Sequence, residues 1–468
     1  MSIVRTRLPT DLARALEVDA GLDRIRRELE IPGEFPAEVH DAALDAIGRP
    51  FGSEHVDRTD VPFVTLDPAD ATDLDQALHL ERSGNDLVLH YAIADVGWFV
   101  RTGDVLDREA WRRGTTMYVP AGKAPLYPKT LSEGAASLLP DGPRPAVVFT
   151  VRLDPDGEAW LDGVQRAMIR SRAKLAYDRV APTDLPADLP EFARRMAEAD
   201  SRRGAARLEA PEQAVEHDGD GYRIAYRPRL ASEDHNAALS LATNLAVARA
   251  LHDAGTGLFR VMEEPDERQV KRLRHTARAM GLTWPAVMSL VAFEATLRGD
   301  EPRHAAMILA IRRAGGGARY VPYEHGVVPW HAAMAATYAH ATAPLRRLAD
   351  RYVVLAALAV ANGRAVPDDV QAAFAELPEV MARADATGNR LDRLVVDLVE
   401  AVVMQGNEGR TFDALVTDID ERGARIQLCD VAIVARVDAS GMNPGDRITV
   451  KLLSTSPESR AVTFERVA

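Results

Sequence analysis

The stretch TLDPADATDLDQAL, residues 65–78, decides how this chain is read. It places Asp67, Asp70, Asp73 and Asp75 within nine residues, between apolar runs at 61–66 and 77–81 that alternate as strands do. Carboxylates this close repel and raise one another's pKa unless a cation or several donors neutralise them. One reading is a solvated acidic loop, or Asp used for turns and helix caps. The sharper reading is a site for a hard cation, Mg²⁺ or Mn²⁺, which takes carboxylate oxygens and keeps positions open for water and substrate phosphate. A calcium loop of the EF-hand kind does not fit, because the spacing departs from D-x-[DN]-x-[DN]-G and the closing Glu is missing.

The chain around this loop has 468 residues, 47% hydrophobic and 27% charged, enough for two or three domains. No apolar run reaches the length of about eighteen residues that spans a bilayer. The N-terminus has no apolar secretory core, and the one cysteine, Cys429, excludes a disulfide framework and a Cys-rich zinc site. A soluble cytoplasmic protein is expected. The net charge of −13 describes the average field and not a groove, so it neither supports nor excludes nucleic-acid binding.

Upstream, Leu22, Ile25 and Leu29, then Val39, Ala43 and Ile47, recur at helical spacing on either side of Pro32-Gly33. They read as short helices forming a cap, and a helix-turn-helix also fits. Downstream, Ser83-Gly84-Asn85 reads as a turn into a strand over 87–94. After about 165 the pattern reads as mostly helical, with MIRSRAKLAYDRV, LSLATNLAVARAL and the run 344–358 as helices. The segment 391–404 reads as a linking helix. The last sixty residues hold five short β runs, which suit a small OB-type barrel, with Phe412 and Phe464 as its aromatic surface.

TLDPADATDLDQAL resembles the signature of the ribonuclease II (RNB) family, roughly T-I-D-P-x-x-A-x-D-x-D-D-A-L. Further segments are similar to family motifs and follow in the same order: HYAIADVGWFV (90–100), RRGTTMYVP (112–120), LYPKTLSEGAASLLP (126–140), AKLAYDRV, and YAHATAPLRRLAD (338–350). Together they cover about 55–360, and the final barrel stands where an S1 domain is expected. The resemblance implies an α+β fold. It would comprise an RNB catalytic domain of mixed sheet and helices with its linking helix (51–405), an S1-like OB barrel (406–468) and a helical N-terminal domain (1–50). That helical part stands in place of the family's N-terminal cold-shock domains, with a more open channel entrance expected.

The resemblance also implies roles. Asp67, Asp73 and Asp75 take three of the family's four catalytic aspartate positions, and the fourth is Gln76, whose amide oxygen still ligates Mg²⁺ but carries no charge. Asp67, Asp73, Asp75 and Gln76 are thus the expected metal ligands, with Asp73, Asp75 and Arg346 catalytic. Arg346, read as lying in the first turn of a helix, is expected to hold the scissile phosphate. Arg347 stands as its neighbour in substrate binding, and Tyr177 as a wall against a base. Anchored on Asn244, the family's acidic pair falls on Ala237 and Ala238, with Glu233 and Asp234 nearby. The expected function is 3′→5′ hydrolysis of single-stranded RNA to 5′-mononucleotides with Mg²⁺ or Mn²⁺, by a monomer. The alternatives are a catalytically weakened RNB-fold RNA-binding protein, and a DNA-directed regulator using residues 1–50.

Overall fold

The structure is a computed structural model. It describes residues 5–7, 12–120, 122–205, 213–218, 221–226, 230–298, 301–420, 422–429 and 431–467. At its centre five strands close into a barrel: β1 (Val56–Asp67), β2 (Gln76–Ser83), β3 (Asp86–Ala94), β4 (Arg144–Leu153) and β5 (Ala159–Ala176). The β2–β3 hairpin turns at Gly84, and β3 runs antiparallel to β4 and β4 to β5. Parallel pairing of β1 with β5 then closes the circle, in register from Val56↔Ala167 to Asp67↔Ala176. Closure leaves no free sheet edge. Phe63, Leu74, Tyr91 and Phe149 are fully buried, each contributing roughly 1.5–3 kcal/mol.

The register fixes the site. Asp67 ends β1 beside the end of β5, and Gln76 begins β2, so the acidic loop 68–75 hangs from a single rim of the barrel.

Residues 166–176, expected to be helical, form the second half of β5 instead. Ile169 and Ser171 are buried while Arg170 and Arg172 are exposed, a period of two that the barrel selects. Helices do follow at α3 (Ala231–Asp253), α4 (Leu348–Ala361) and α5 (Asp368–Met404). The run expected to be helical from 344 starts at Leu348, because residues 343–347 form a turn whose amides are used elsewhere.

Helices α1 (Leu12–Glu28) and α2 (Ala37–Ile47) go to different cores. Val39, Ala43 and Ala46 join the central barrel, α3, α4 and the first half of α5. Val18, Leu22 and Ile25 pack with the second half of α5 and the C-terminal strands. A Cβ on Gly21 would lie 2.5 Å from Leu398, so that glycine permits the close helix contact. In place of a free-standing helical unit, the two helices are thus shared between two cores.

The C-terminal strands are β6 (Thr411–Asp420), β7 (Gly423–Leu428), β8 (Val434–Val437), β9 (Arg447–Ser456) and β10 (Ala461–Arg466). Their order is β8-β7-β6-β9-β10, and β8 touches β10, so the barrel is nearly closed. Phe464 is buried in it, edge-on to Phe412, and offers no stacking surface. Among the described residues no helix is long and apolar enough to cross a membrane.

Candidate active site

The acidic loop is pinned from beneath by a buried serine. Ser137 Oγ donates to the carbonyl of Thr72 (2.7 Å) and accepts from the amide of Leu74 (2.9 Å). The amide of Leu138 donates to the carbonyl of Leu74, and that of Ala94 to the carbonyl of Asp75. These bonds satisfy backbone groups that burial would otherwise leave unpaired.

Asp75 is buried. Its Oδ1 accepts from the backbone amide of Leu345 at 2.7 Å, and its Oδ2 lies 3.5 Å from Nε of Arg346. Burial still dominates and pushes its carboxyl up to about 8, against the opposing pull of Arg346. Asp67 Oδ2 has no accessible area and no hydrogen-bond partner; burial raises this carboxyl to about 7, opposed by Arg346 and reinforced by Asp73. The same two neighbours act on both acids, so Asp67 and Asp75 share one electrostatic environment.

Arg346 precedes α4 and does not lie in its first turn, so its side chain gains nothing from that helix's N-terminal amides. Its carbonyl instead accepts from the amide of Thr116 (2.9 Å) and from Thr115 Oγ1 (2.7 Å), which fixes the backbone and leaves the guanidinium 41% exposed. Gly114, at φ 71°, makes this approach feasible: its carbonyl accepts from Leu348, and a Cβ there would meet Ala384 at 2.9 Å.

Asp73 and Gln76 face other partners. Asp73 Oδ1 is 2.7 Å from Lys123 Nζ, and its Oδ2 accepts from the Tyr118 hydroxyl (3.2 Å). The Gln76 amide nitrogen donates to the carbonyl of Thr342 (2.5 Å), while its oxygen accepts from the Tyr91 hydroxyl (3.0 Å), which also meets Ser240 Oγ at 2.8 Å. Among the described residues no three Asp, Glu, His or Cys side chains gather as a ready-made metal cluster.

Arg347 is committed to structure, with two bonds of 2.9 and 2.8 Å to fully buried Asp350, which also accepts from the amide of Ala343. Tyr177 follows β5 directly and is not in a helix; its amide donates to the carbonyl of Asp67. Its hydroxyl accepts from Asn236 Nδ2 at 2.7 Å, and burial pushes it up to about 12. Asp70 is exposed. Glu233 caps α3 through the amide of Leu230 and does not replace the missing acidic pair in this arrangement.

Asp67, Asp73, Asp75, Gln76, Arg346 and Tyr177 therefore come together, with Asp73 and Gln76 also bonded to partners of their own, while Arg347 is paired with Asp350. Lys123, Tyr91, Thr342, Ser137 and Asp350 were missed in the sequence. Tyr91, Ser137, Thr342 and Asp350 lie inside quoted motifs. Nothing local marks Lys123.

A sequence model of the RNB domain matches residues 55–360, and one of the RNase II-type exonuclease C-terminal S1 domain matches residues 410–467. The chain belongs to the RNB family. It is similar to Ribonuclease R of Thermotoga maritima, 27% identical over 454 residues that take in 90% of this chain and 63% of the relative. It spans less than two thirds of the length of this and other curated relatives. Its fold is that of Mycoplasma genitalium RNase R in complex with ribose methylated single-stranded RNA, at TM-score 0.85 and 19% identity over 96% of this chain and 78% of that one. It is also like that of yeast Ssd1, a pseudonuclease, at TM-score 0.71 and 16% identity over 93% and 58% of the two chains.

Proposed function

We propose that this chain is a metal-dependent 3′→5′ exoribonuclease that hydrolyses single-stranded RNA to 5′-mononucleotides, working as a cytoplasmic monomer. Residues 51–405 would carry the catalysis, with 406–468 and the helices within 1–50 flanking them. The observation behind this reading is the meeting of Arg346 with Asp75, 3.5 Å apart, beside a buried Asp67 oxygen that has no donor.

A buried carboxylate with a free oxygen suits a hard cation, and Mg²⁺ is commonly held by one or two carboxylates together with substrate phosphate. Asp67 and Asp75 would hold Mg²⁺ or Mn²⁺, which would supply neutralisation of phosphate charge and a lowered pKa for the attacking water. The guanidinium of Arg346, free on its outer side, takes a phosphate oxygen and stabilises the charge that grows on it. Leu345 holds Asp75 in place through its amide, with the other carboxylate oxygen turned toward Arg346. Tyr177, fixed by Asn236, presents a ring edge or face to a base near the reacting end.

The test is a time course with 5′-labelled poly(A), with and without Mg²⁺ or Mn²⁺. Metal-dependent shortening from the 3′ end is expected. RNA retained without shortening would instead favour a weakened RNA-binding protein. That second reading draws on Gln76, whose amide is satisfied by Thr342 and Tyr91 and carries no charge.

A further inference from the structure

Lys123 lies on a short hairpin of strands Met117–Val119 and Gly122–Ala124, directly opposite Tyr118. Residues paired across a hairpin point to the same face. Both therefore reach Asp73 together, the ammonium at Oδ1 (2.7 Å) and the hydroxyl at Oδ2 (3.2 Å). Lys123 also meets Glu133 Oε1 at 3.1 Å, and Glu133 is in turn held by Thr72 Oγ1 at 2.9 Å. The side chains of Lys123 and Asp73 are only 16% and 10% exposed, so the pair is poorly screened.

Charge completes the argument. Asp67, Asp73, Asp75 and Glu133 bring four negative charges, while Lys123 and Arg346 bring two positive ones. A single divalent ion balances these groups, and two would leave them net positive. Asp73 has both oxygens engaged and Gln76 has both ends of its amide engaged, whereas Asp67 Oδ2 has no hydrogen-bond partner and Asp75 Oδ2 has only the 3.5 Å ion contact with Arg346.

We propose that Lys123 is a built-in cation that holds Asp73 where a second divalent ion would otherwise be needed, so that the site takes one Mg²⁺ or Mn²⁺ on Asp67 and Asp75. This rests on the nuclease reading above and adds a positioning residue and an ion count to it.

The test counts Mn²⁺ bound to the full, metal-stripped chain, from the loss of the free-ion electron paramagnetic resonance signal at pH 8. One ion per chain is expected for the wild type, for Lys123→Arg and for Gln76→Asp alone. Two are expected when Lys123→Met is combined with Gln76→Asp. Two ions on the wild type or on Gln76→Asp would overturn the proposal, as would a folded double variant that still binds one. Labelled RNA is followed in the same samples. Cleavage by a wild type that binds two ions removes this inference and leaves the nuclease reading, whereas one bound ion without cleavage does the reverse.

Discussion

Nε of Arg346 lies 3.5 Å from Oδ2 of Asp75, joining the turn before α4 to the loop between β1 and β2. The contact crosses most of the catalytic part of the chain, and it is made beside Asp67, the third group whose environment it sets. On the proposed reading a guanidinium so placed would meet a phosphate oxygen next to the acids, from a backbone fixed at its carbonyl by Thr115 and Thr116.

Asp75→Asn separates chemistry from folding. An asparagine keeps the oxygen that accepts from Leu345 but removes the charge facing Arg346 and a bound cation. Cleavage is expected to fall by at least about 10³-fold, the equivalent of several kcal/mol. RNA affinity by filter binding is expected to change by less than about threefold. Near-normal turnover in the variant would sink the assignment.

Arg346→Lys tests the geometry of the cation. A lysine preserves charge but not the planar, two-pronged contact. Turnover is expected to drop about 10²–10³-fold, as when one preorganised donor is lost, with the melting temperature little changed. A variant that loses stability instead would assign Arg346 to the fold.

Arg347→Met should behave in the opposite way. It leaves fully buried Asp350 without its guanidinium, which is expected to cost about 3–5 kcal/mol in urea unfolding. Adding Asp350→Asn removes the stranded charge and should restore part of that loss. A single variant as stable as the wild type would make Arg347 available to substrate after all.

The raised carboxyls of Asp67 and Asp75 predict how stability depends on pH and metal. Their folded values, about 7 and about 8, stand above the ordinary 3.8, so the fold favours their protonated forms. The stability they contribute is complete below about pH 4 and is lost as pH rises through 7 to 8. Metal-free protein should therefore melt at progressively lower temperature across that window. Mn²⁺ binds the ionised acids, so the rise in melting temperature that it gives should be small at pH 6 and largest above pH 8. A metal effect that shrinks with rising pH would contradict the burial of these two groups at the ion site.

Much of this was legible in the sequence, for definite reasons. The strands flanking the acidic loop showed as apolar runs because most of their central residues are packed in the core. Three positions of the acidic loop stood out as clustered carboxylates, and Arg346 through its place in a family motif. The latter part of β5 did not show itself. Its arginines sit among small and apolar residues, and only pairing with both β1 and β4 makes strand the better choice. That misreading also put Tyr177 in a helix. Lys123 and Tyr91 act across long sequence separations, and no local pattern encodes which acid or amide they meet.

The long helix α5 buries Val370, Phe374 and Leu377 against the central barrel, and Leu391, Leu398 and Val402 against the terminal one. At 1.5 Å per residue it is a strut of roughly 55 Å. Its proline, Pro378, is embedded in the first half, but Gly388 sits between the two anchored stretches with nothing near the place of its missing methyl. A glycine there lowers the helix's resistance to bending at this midspan. Gly388→Ala would stiffen the span without touching a neighbour and raise helix stability by about 0.5–1 kcal/mol. Slower turnover on long RNA in that variant, with dinucleotides unaffected, would mark the joint as part of how a strand is drawn in.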